Sequence, residues 1–353
     1  MLGIKRRDFL RQWGRAALLP AGAFSAAPFL AGCRDRSRDT SRVGLSARVG
    51  LSAAIHPTYI PIIAGPLLFG SNFGLNMTKD DYTSFDSHST VVLAALSGQV
   101  DMVGASTMAH LAIIAQGQPF KIFAPYVNLD DFVIAGRGPV KRLEQLLDPN
   151  VTVAIDDVAG AGQTIFDAIL LAEDVGFLLR DVPSRLIIGS TPGRTSGLAS
   201  GEVDVTALHL YQAQQVHAET GDVNIISTLY ENVPLFMMLS VAAPQAWLDE
   251  NLETAAAFTA SVIQASRDLK KSFARYEEVV GQFIAVPPSR EVLQSIYDLT
   301  IHYDMWATNG GLEDERLEFM IELGKMEGVF DADLTPADVA DTRARDMALE
   351  MLG

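Results

Sequence analysis

The sequence has a single cysteine, Cys33, in 353 residues. An intramolecular disulfide is therefore excluded, and the fold must rest on its packed core. Positive charge is scarce as well: 27 Lys and Arg stand against 43 Asp and Glu, a formal net charge of −16. So acidic a chain is a poor partner for nucleic acid, whose phosphates demand a basic face. There is no H-E-x-x-H, no Cys-His cluster and no G-x-S-x-G. Neither a metal site nor a cofactor nor a serine-type hydrolase is expected from these absences. The apolar stretch at 16–31 is shorter than the roughly 20 residues of a membrane-spanning helix. Pro20 and Pro28 would also break it.

What is present begins at the N-terminus. Residues 5–11 read K-R-R-D-F-L-R, the apolar stretch follows, and small residues precede Cys33. That is the order of an export signal. Arg6-Arg7 followed by Phe9-Leu10 resembles the twin-arginine export motif, with Lys5 where Ser or Thr is usual. Leu30-Ala31-Gly32-Cys33 resembles the bacterial lipobox at every position. The resemblance implies cleavage before Cys33 and lipidation of its thiol. The body would then be anchored at the periplasmic or cell-surface face of a bacterial membrane. Residues 1–32 are thus expected to be a signal peptide. Residues 33–48, rich in Arg, Ser, Asp and Thr, read as a flexible tether.

Beyond residue 48, short apolar runs alternate with helical stretches, the rhythm of an α/β protein with parallel sheets. Strands are expected at 49–55, 82–85, 100–103, 121–126, 132–136, 151–155, 185–188, 203–208 and 234–241. Helices are expected at 59–70, 86–96, 108–116, 165–176 and 191–200, then at 249–275, 289–306, 313–327 and 336–352. Two segments match: A-A-L-S-G-Q-V-D at 94–101 and G-L-A-S-G-E-V-D at 197–204. Each reads as a helix stopped by Ser-Gly and followed by Val-Asp and a strand, which points to two similarly built lobes.

An apolar strand ending near His56-Pro57 is followed by L-S-G-Q-V-D-M-V-G-A-S and I-A-Q-G-Q-P-F-K-I, and later by L-A-S-G-E-V-D and the N-G-G-L of 309–312. In this order they resemble the ABC-transporter solute-binding proteins of the group that takes nitrate, sulfonates, bicarbonate and thiamine-pyrimidine precursors. The resemblance spans roughly residues 48–330. It implies an α/β, two-lobed, type II periplasmic-binding-protein-like fold with a helical C-terminal tail. Lobe 1 would comprise 49–130 and 236–353 and lobe 2 would comprise 131–235, with crossings near 126–136 and 230–240. It also implies a monomer without catalytic activity, a small-molecule ligand, and ABC permease and ATPase partners.

Ligands of open parallel sheets bind beyond the carboxyl ends of the strands, where helix N-termini present free N–H groups. The candidate contacts at such junctions are His56, Thr58, Tyr59, Ser87, His88, Ser106 and Thr107 in lobe 1. In lobe 2 they are Gly162, Gln163, Thr164, His209 and Tyr211. Each has a plainer role open to it: Ser and Thr cap helices, and His and Tyr fill cores. The G-A-G-Q-T turn at 160–164 lacks the third glycine and the lysine of a nucleotide loop. His209 with Asp204 is a poor acid–base pair, since an offset of five on a strand puts them on opposite faces. The junction loops carry Asp86, Asp130, Asp131, Asp156 and Asp157, and Arg194 is the nearest basic residue. A neutral or nitrogen-containing organic ligand is therefore expected, stacked on an aromatic ring. The alternatives are a sulfonate- or nitrate-type oxyanion held by Arg194, or service as receptor to a TRAP-type transporter or a sensor.

Overall fold

The computed structural model describes residues 44–52, 56–85, 88–156 and 160–353, with all side chains among them except those of His88 and Ser89. Arg6, Arg7, Cys33 and Ser87, the expected signal peptide and most of the expected tether lie outside the described residues. Ten described strands follow in chain order. They are β1 (Val49–Leu51), β2 (Tyr82–Ser84), β3 (Met102–Ser106), β4 (Phe120–Val127) and β5 (Phe132–Arg137). Then come β6 (Val153–Ile155), β7 (Arg185–Ile187), β8 (Val205–His209), β9 (Val223–Thr228) and β10 (Leu239–Pro244). They form two five-stranded sheets ordered β2-β1-β3-β10-β4 and β7-β6-β8-β5-β9. The two orders are the same plan. A parallel trio is flanked by an antiparallel strand that has just arrived from the other sheet, and the strand that follows the trio in the chain, β4 or β9, pairs outside it. The chain passes between sheets at 128–131 and again at 229–238.

Helices alternate with the strands and cover the sheets. They are α1 (Pro61–Phe69), α2 (His88–Leu96), α3 (Thr107–Ala115), α4 (Ala161–Ala172), α5 (Thr191–Ser200) and α6 (Leu210–Thr220). A helical tail follows with α7 (Leu252–Leu269), α8 (Phe273–Phe283), α9 (Arg290–His302), α10 (Asp314–Glu327) and α11 (Arg343–Leu352). β3 and β8 are buried along their whole length, so that even Ser106, Thr206 and His209 are enclosed. Phe120, Phe123, Phe166, Phe236 and Phe258 are fully buried, each contributing about 1.5–3 kcal/mol. This is a two-lobed α/β fold with a C-terminal helical tail. Among the described residues no helix is long and apolar enough to cross a membrane.

The matched octapeptides have matched structures. Gly98 and Gly201 end their helices with φ of 73° and 81°, a left-handed turn that glycine adopts without strain. Three residues on, each Asp reaches the residue that precedes the first parallel strand of its sheet. Asp101 Oδ2 accepts the Arg48 N–H at 2.8 Å, and Asp204 Oδ2 accepts the Thr152 N–H at 2.8 Å. Asp204 is thereby committed to this turn.

The structure departs from the sequence expectations in several places. β1 is described only to Leu51, and 53–55 lie outside the described residues. β9 was not expected, because V-N-I-I-S-T does not alternate cleanly and lies on a sheet edge where Ile225 is exposed. The strand expected from Pro234 starts only at Leu239. The helix expected over 249–275 stops at Leu269, and the unexpected α8 begins after Ser272, whose hydroxyl accepts the Arg275 N–H. α6 was likewise not expected, and the helix expected over 336–352 is a short turn at Pro336–Val339 followed by α11.

Candidate ligand site between the lobes

The site forms where the first crossing passes between the ends of β1 and β8. Pro57 opens a tight turn after β1, its fixed φ suiting that place, and His56 caps the turn. His56 Nδ1 lies 3.3 Å from the Thr58 N–H and 3.0 Å from the Thr58 hydroxyl. Thr58 is held in turn by Trp306, whose indole N–H donates to the Thr58 carbonyl at 2.7 Å. Trp306 is buried against Tyr276. Tyr59 follows, and its hydroxyl donates to Asp130 Oδ2 at 2.5 Å.

Asp130 and Asp131 stand on the crossing itself, and both are buried. Asp130 Oδ1 accepts the N–H of Asp131 at 2.8 Å. From the other lobe comes His209, the last residue of β8, directly opposite Phe132 in the antiparallel register. Its Nδ1 meets Asp131 Oδ1 at 2.6 Å, and the Asp131 carbonyl accepts the N–H of Leu210 at 2.9 Å. The rings of His56 and His209 stack at 3.9 Å between centroids, 4° from parallel. Tyr211 lies 5.8 Å from His56 and 6.1 Å from His209. One donor atom each from His56, Asp130, Asp131 and His209 can be chosen so that all four lie within 4.8 Å of one another.

Burial sorts the charges in this cluster. Burial opposes an ionised Asp131, yet the neighbouring His209 and its hydrogen bond outweigh that and hold Asp131 down at about 2. Burial likewise opposes a charged His209, and the two carboxylates overcome it and raise the imidazole. Asp130 is pushed up to about 7, first by burial and then by Asp131 against the pull of His209. His56 is driven down to about 3 by burial and by the charge of His209, so it is neutral at physiological pH. The cluster is one ion pair beside a neutral imidazole and a carboxyl that titrates near neutrality. Two of its buried atoms, Asp131 Oδ2 and His56 Nε2, have no hydrogen-bond partner among the described residues.

Four of the sequence-predicted residues, His56, Tyr59, His209 and Tyr211, are brought together, and Thr58 supports them from behind. The others have different contacts. The Thr107 hydroxyl donates to the Ser240 hydroxyl at 3.1 Å inside lobe 1, and Ser106 is buried at the end of β3. The Gly162 N–H is taken by Asp156, whose two carboxylate oxygens lie at 3.0 and 3.1 Å. The Thr164 hydroxyl reaches the Gly160 carbonyl and Glu327, and Gln163 is buried beside it in α4. His88 begins α2, with its side chain outside the described set. Arg194 is buried and donates to the Ile188 carbonyl at 3.0 Å and to the Thr191 hydroxyl at 3.2 Å. The sequence reading noted Asp130 and Asp131 as cleft acids but missed their partners. The adjacent pair D-D at the end of an apolar strand was the available signal. Because no local spacing suggested it, a four-residue set of imidazoles and carboxylates was not expected either.

No protein-family pattern and no curated protein matches this sequence. Solved structures do match. One is the alkanesulfonate-binding protein SsuA of Xanthomonas axonopodis bound to MOPS, 14% identical, with a TM-score of 0.65 over 85% of this chain and 99% of that one. Another is the periplasmic nitrate-binding protein NrtA of Synechocystis, 15% identical, with a TM-score of 0.63 over 87% and 88%. A third is the ligand-binding component of an ABC-type import system from Staphylococcus aureus with zinc bound, 12% identical, with a TM-score of 0.64 over 86% and 99%. The fold is thus that of the periplasmic binding proteins, of the kind that the sequence motifs resemble.

Proposed function

We propose that this chain is the extracytoplasmic ligand-binding component of an ABC importer and does not act as an enzyme. Its ligand is held between the lobes by His56, Tyr59, Asp130, Asp131, His209 and Tyr211. The observation that carries this reading is the pair of buried atoms unpartnered among the described residues, Asp131 Oδ2 on the crossing and His56 Nε2 in lobe 1, beside the stack of His56 on His209. An unmet buried polar atom costs about 1–3 kcal/mol, so a ligand that meets both gains what the empty site forgoes. Contacts from both lobes and from the crossing also give the ligand a differential affinity for the closed form, without which closure would not respond to it. The named functions of the matched structures, all binding proteins, support the same class.

The ligand group at this cluster is positively charged or a nitrogen-bearing donor. Two carboxylates converge there, and Arg194, the guanidinium whose charge acts on His209 among the described residues, already donates to protein oxygens. Calorimetry against nitrate, taurine, an alkanesulfonate and an aminopyrimidine tests this charge reading. Tight binding of an oxyanion, abolished by Arg194→Ala, would overturn it. The expected result is that the oxyanions bind weakly and that Arg194→Ala changes nothing. For the remainder of the reading, Cys33 is the acylated N-terminus of a protein exported through the Arg6-Arg7 signal. Mass spectrometry of the native protein should find acylated Cys33, and Cys33→Ala should release the body from membranes.

A further inference from the structure

The geometry points to a divalent transition-metal ion, bound by His56, Asp130, Asp131 and His209, as the group that this site captures. The inference rests on the reading of that cluster as the ligand site and specifies what occupies it. Three features of the cluster select an ion over an organic molecule.

The first is size. Four donor atoms lie within 4.8 Å of one another, and the two imidazoles are already in stacking contact at 3.9 Å. A tetrahedral shell with bonds of about 2.0–2.2 Å sets its donors roughly 3.5 Å apart. A contraction of about 1 Å, with the two stacked rings turning so that their in-plane lone pairs converge, therefore completes such a shell, whereas an organic ring would have to force the histidines further apart. The second is unmet bonding. Among the described residues, Asp131 Oδ2 on the crossing and His56 Nε2 in lobe 1 are buried and without partners, and such a pair is what an ion drawn in beside the crossing would use.

The third is support from behind. The Tyr59 hydroxyl holds Asp130, and Thr58 holds Nδ1 of His56. The Phe132 ring packs against His209 at 4.2 Å. Metal sites are oriented by such outer partners, conspicuously through the second nitrogen of each histidine. In this structure Nδ1 accepts the Thr58 N–H, so ligation through Nε2 would move the ring proton to Nδ1, which would then donate to the Thr58 hydroxyl in place of accepting from the backbone. The donor set also sets the class of ion. Two imidazoles and two carboxylates suit zinc, nickel or cobalt, while calcium and magnesium favour all-oxygen shells and copper(I) favours sulfur. Two ionised carboxylates with neutral imidazoles balance a 2+ charge, so the buried site ends neutral.

The test uses the full mature protein, stripped with a chelator and titrated calorimetrically with Zn²⁺, Ni²⁺ and Co²⁺ alone, with Ca²⁺ and Mg²⁺ as controls. One equivalent of transition metal should bind, and bound Co²⁺ should give the intense visible absorption of a low-coordinate nitrogen/oxygen site. His56→Ala and His209→Ala should each weaken binding by about 100-fold or more, and Tyr59→Phe by about 10–100-fold. Far-ultraviolet circular dichroism of each variant checks that it is folded. His56→Gln serves if the alanine variant is not, with the same loss expected. Absence of one-equivalent binding, or binding that the variants leave unchanged, overturns the inference. The same titrations with an aminopyrimidine and an alkanesulfonate in metal-free buffer separate the two claims. An organic ligand that binds without metal and depends on Asp131 sinks the metal assignment while the importer reading stands.

Discussion

The two lobes are built to one plan and end differently. In each, a helix stops at a left-handed glycine, an Asp ties the turn to the first parallel strand of its sheet, and a buried strand runs to a helix N-terminus. Five residues after that Asp, lobe 1 places Ser106 and lobe 2 places His209. Ser106 closes an interior strand. His209 meets Asp131 and stacks on His56 from the other lobe. The comparison teaches that the repeated unit supplies position, and that chemistry enters where the two copies cease to match.

The largest effect that tests this contrast is at the unmatched end. Asp131→Ala removes the nearer of the two buried carboxylates that face His209 and leaves Asp130 Oδ1 at 3.8 Å; breaking such a buried pair costs up to about 3–5 kcal/mol. Ser106→Ala, at the equivalent end of lobe 1, should cost far less. Urea denaturation at neutral pH measures both, and equal losses would break the contrast.

Next in size is a pH effect at a helix the lobes share. α10 packs on α3 of lobe 1 and on α4 of lobe 2, and its Glu327 accepts from the Thr164 hydroxyl. Burial, with help from Asp167, pushes Glu327 well above its ordinary value of 4.5. Above pH 4.5 the unfolded chain releases a proton that the folded chain keeps. Stability from this contact is therefore full on the acid side and falls as pH rises toward the folded value. Asp167, raised to about 6 chiefly by burial, adds to the same slope. Denaturation midpoints between pH 4.5 and 8 should fall less steeply in Glu327→Gln than in the parent. A parallel pair of curves would remove Glu327 from the account.

Smaller effects sharpen the matched part of the plan. Asp101→Ala and Asp204→Ala should each cost about 1–3 kcal/mol, because each leaves a strand-entry N–H without its acceptor. Gly98→Ala and Gly201→Ala should each cost about 1 kcal/mol through the left-handed turn. At Gly201 the added Cβ would also meet Arg137 Nη1 at 2.8 Å. Thermal melts that rank the two lobes alike in these pairs support a common unit, and a loss confined to one lobe would dissolve it.

Much of this frame is written locally. Apolar runs bounded by Ser-Gly and Asp mark most strands and helix ends, and junction position alone singled out His56, Tyr59, His209 and Tyr211. What local reading misses is long-range pairing. Asp131 joins His209 across 78 residues, and Asp130 joins Tyr59 across 71. No periodicity encodes such contacts, because they depend on how two sheets meet at a crossing. The same limit explains β9, an edge strand defined by its neighbour β5, and α8, which begins at a serine cap inside a longer helical pattern.

The tie between Trp306 and Thr58 has a practical consequence. The indole N–H is bonded to the carbonyl of the residue whose amide and hydroxyl hold the His56 ring. Of the other two tryptophans, Trp13 lies in the expected leader and Trp247 is only partly buried. The molecule thus carries its own optical gauge. A shift of His56 on occupancy alters the hydrogen bond of a buried indole, so its intrinsic fluorescence follows capture and release in real time without a dye.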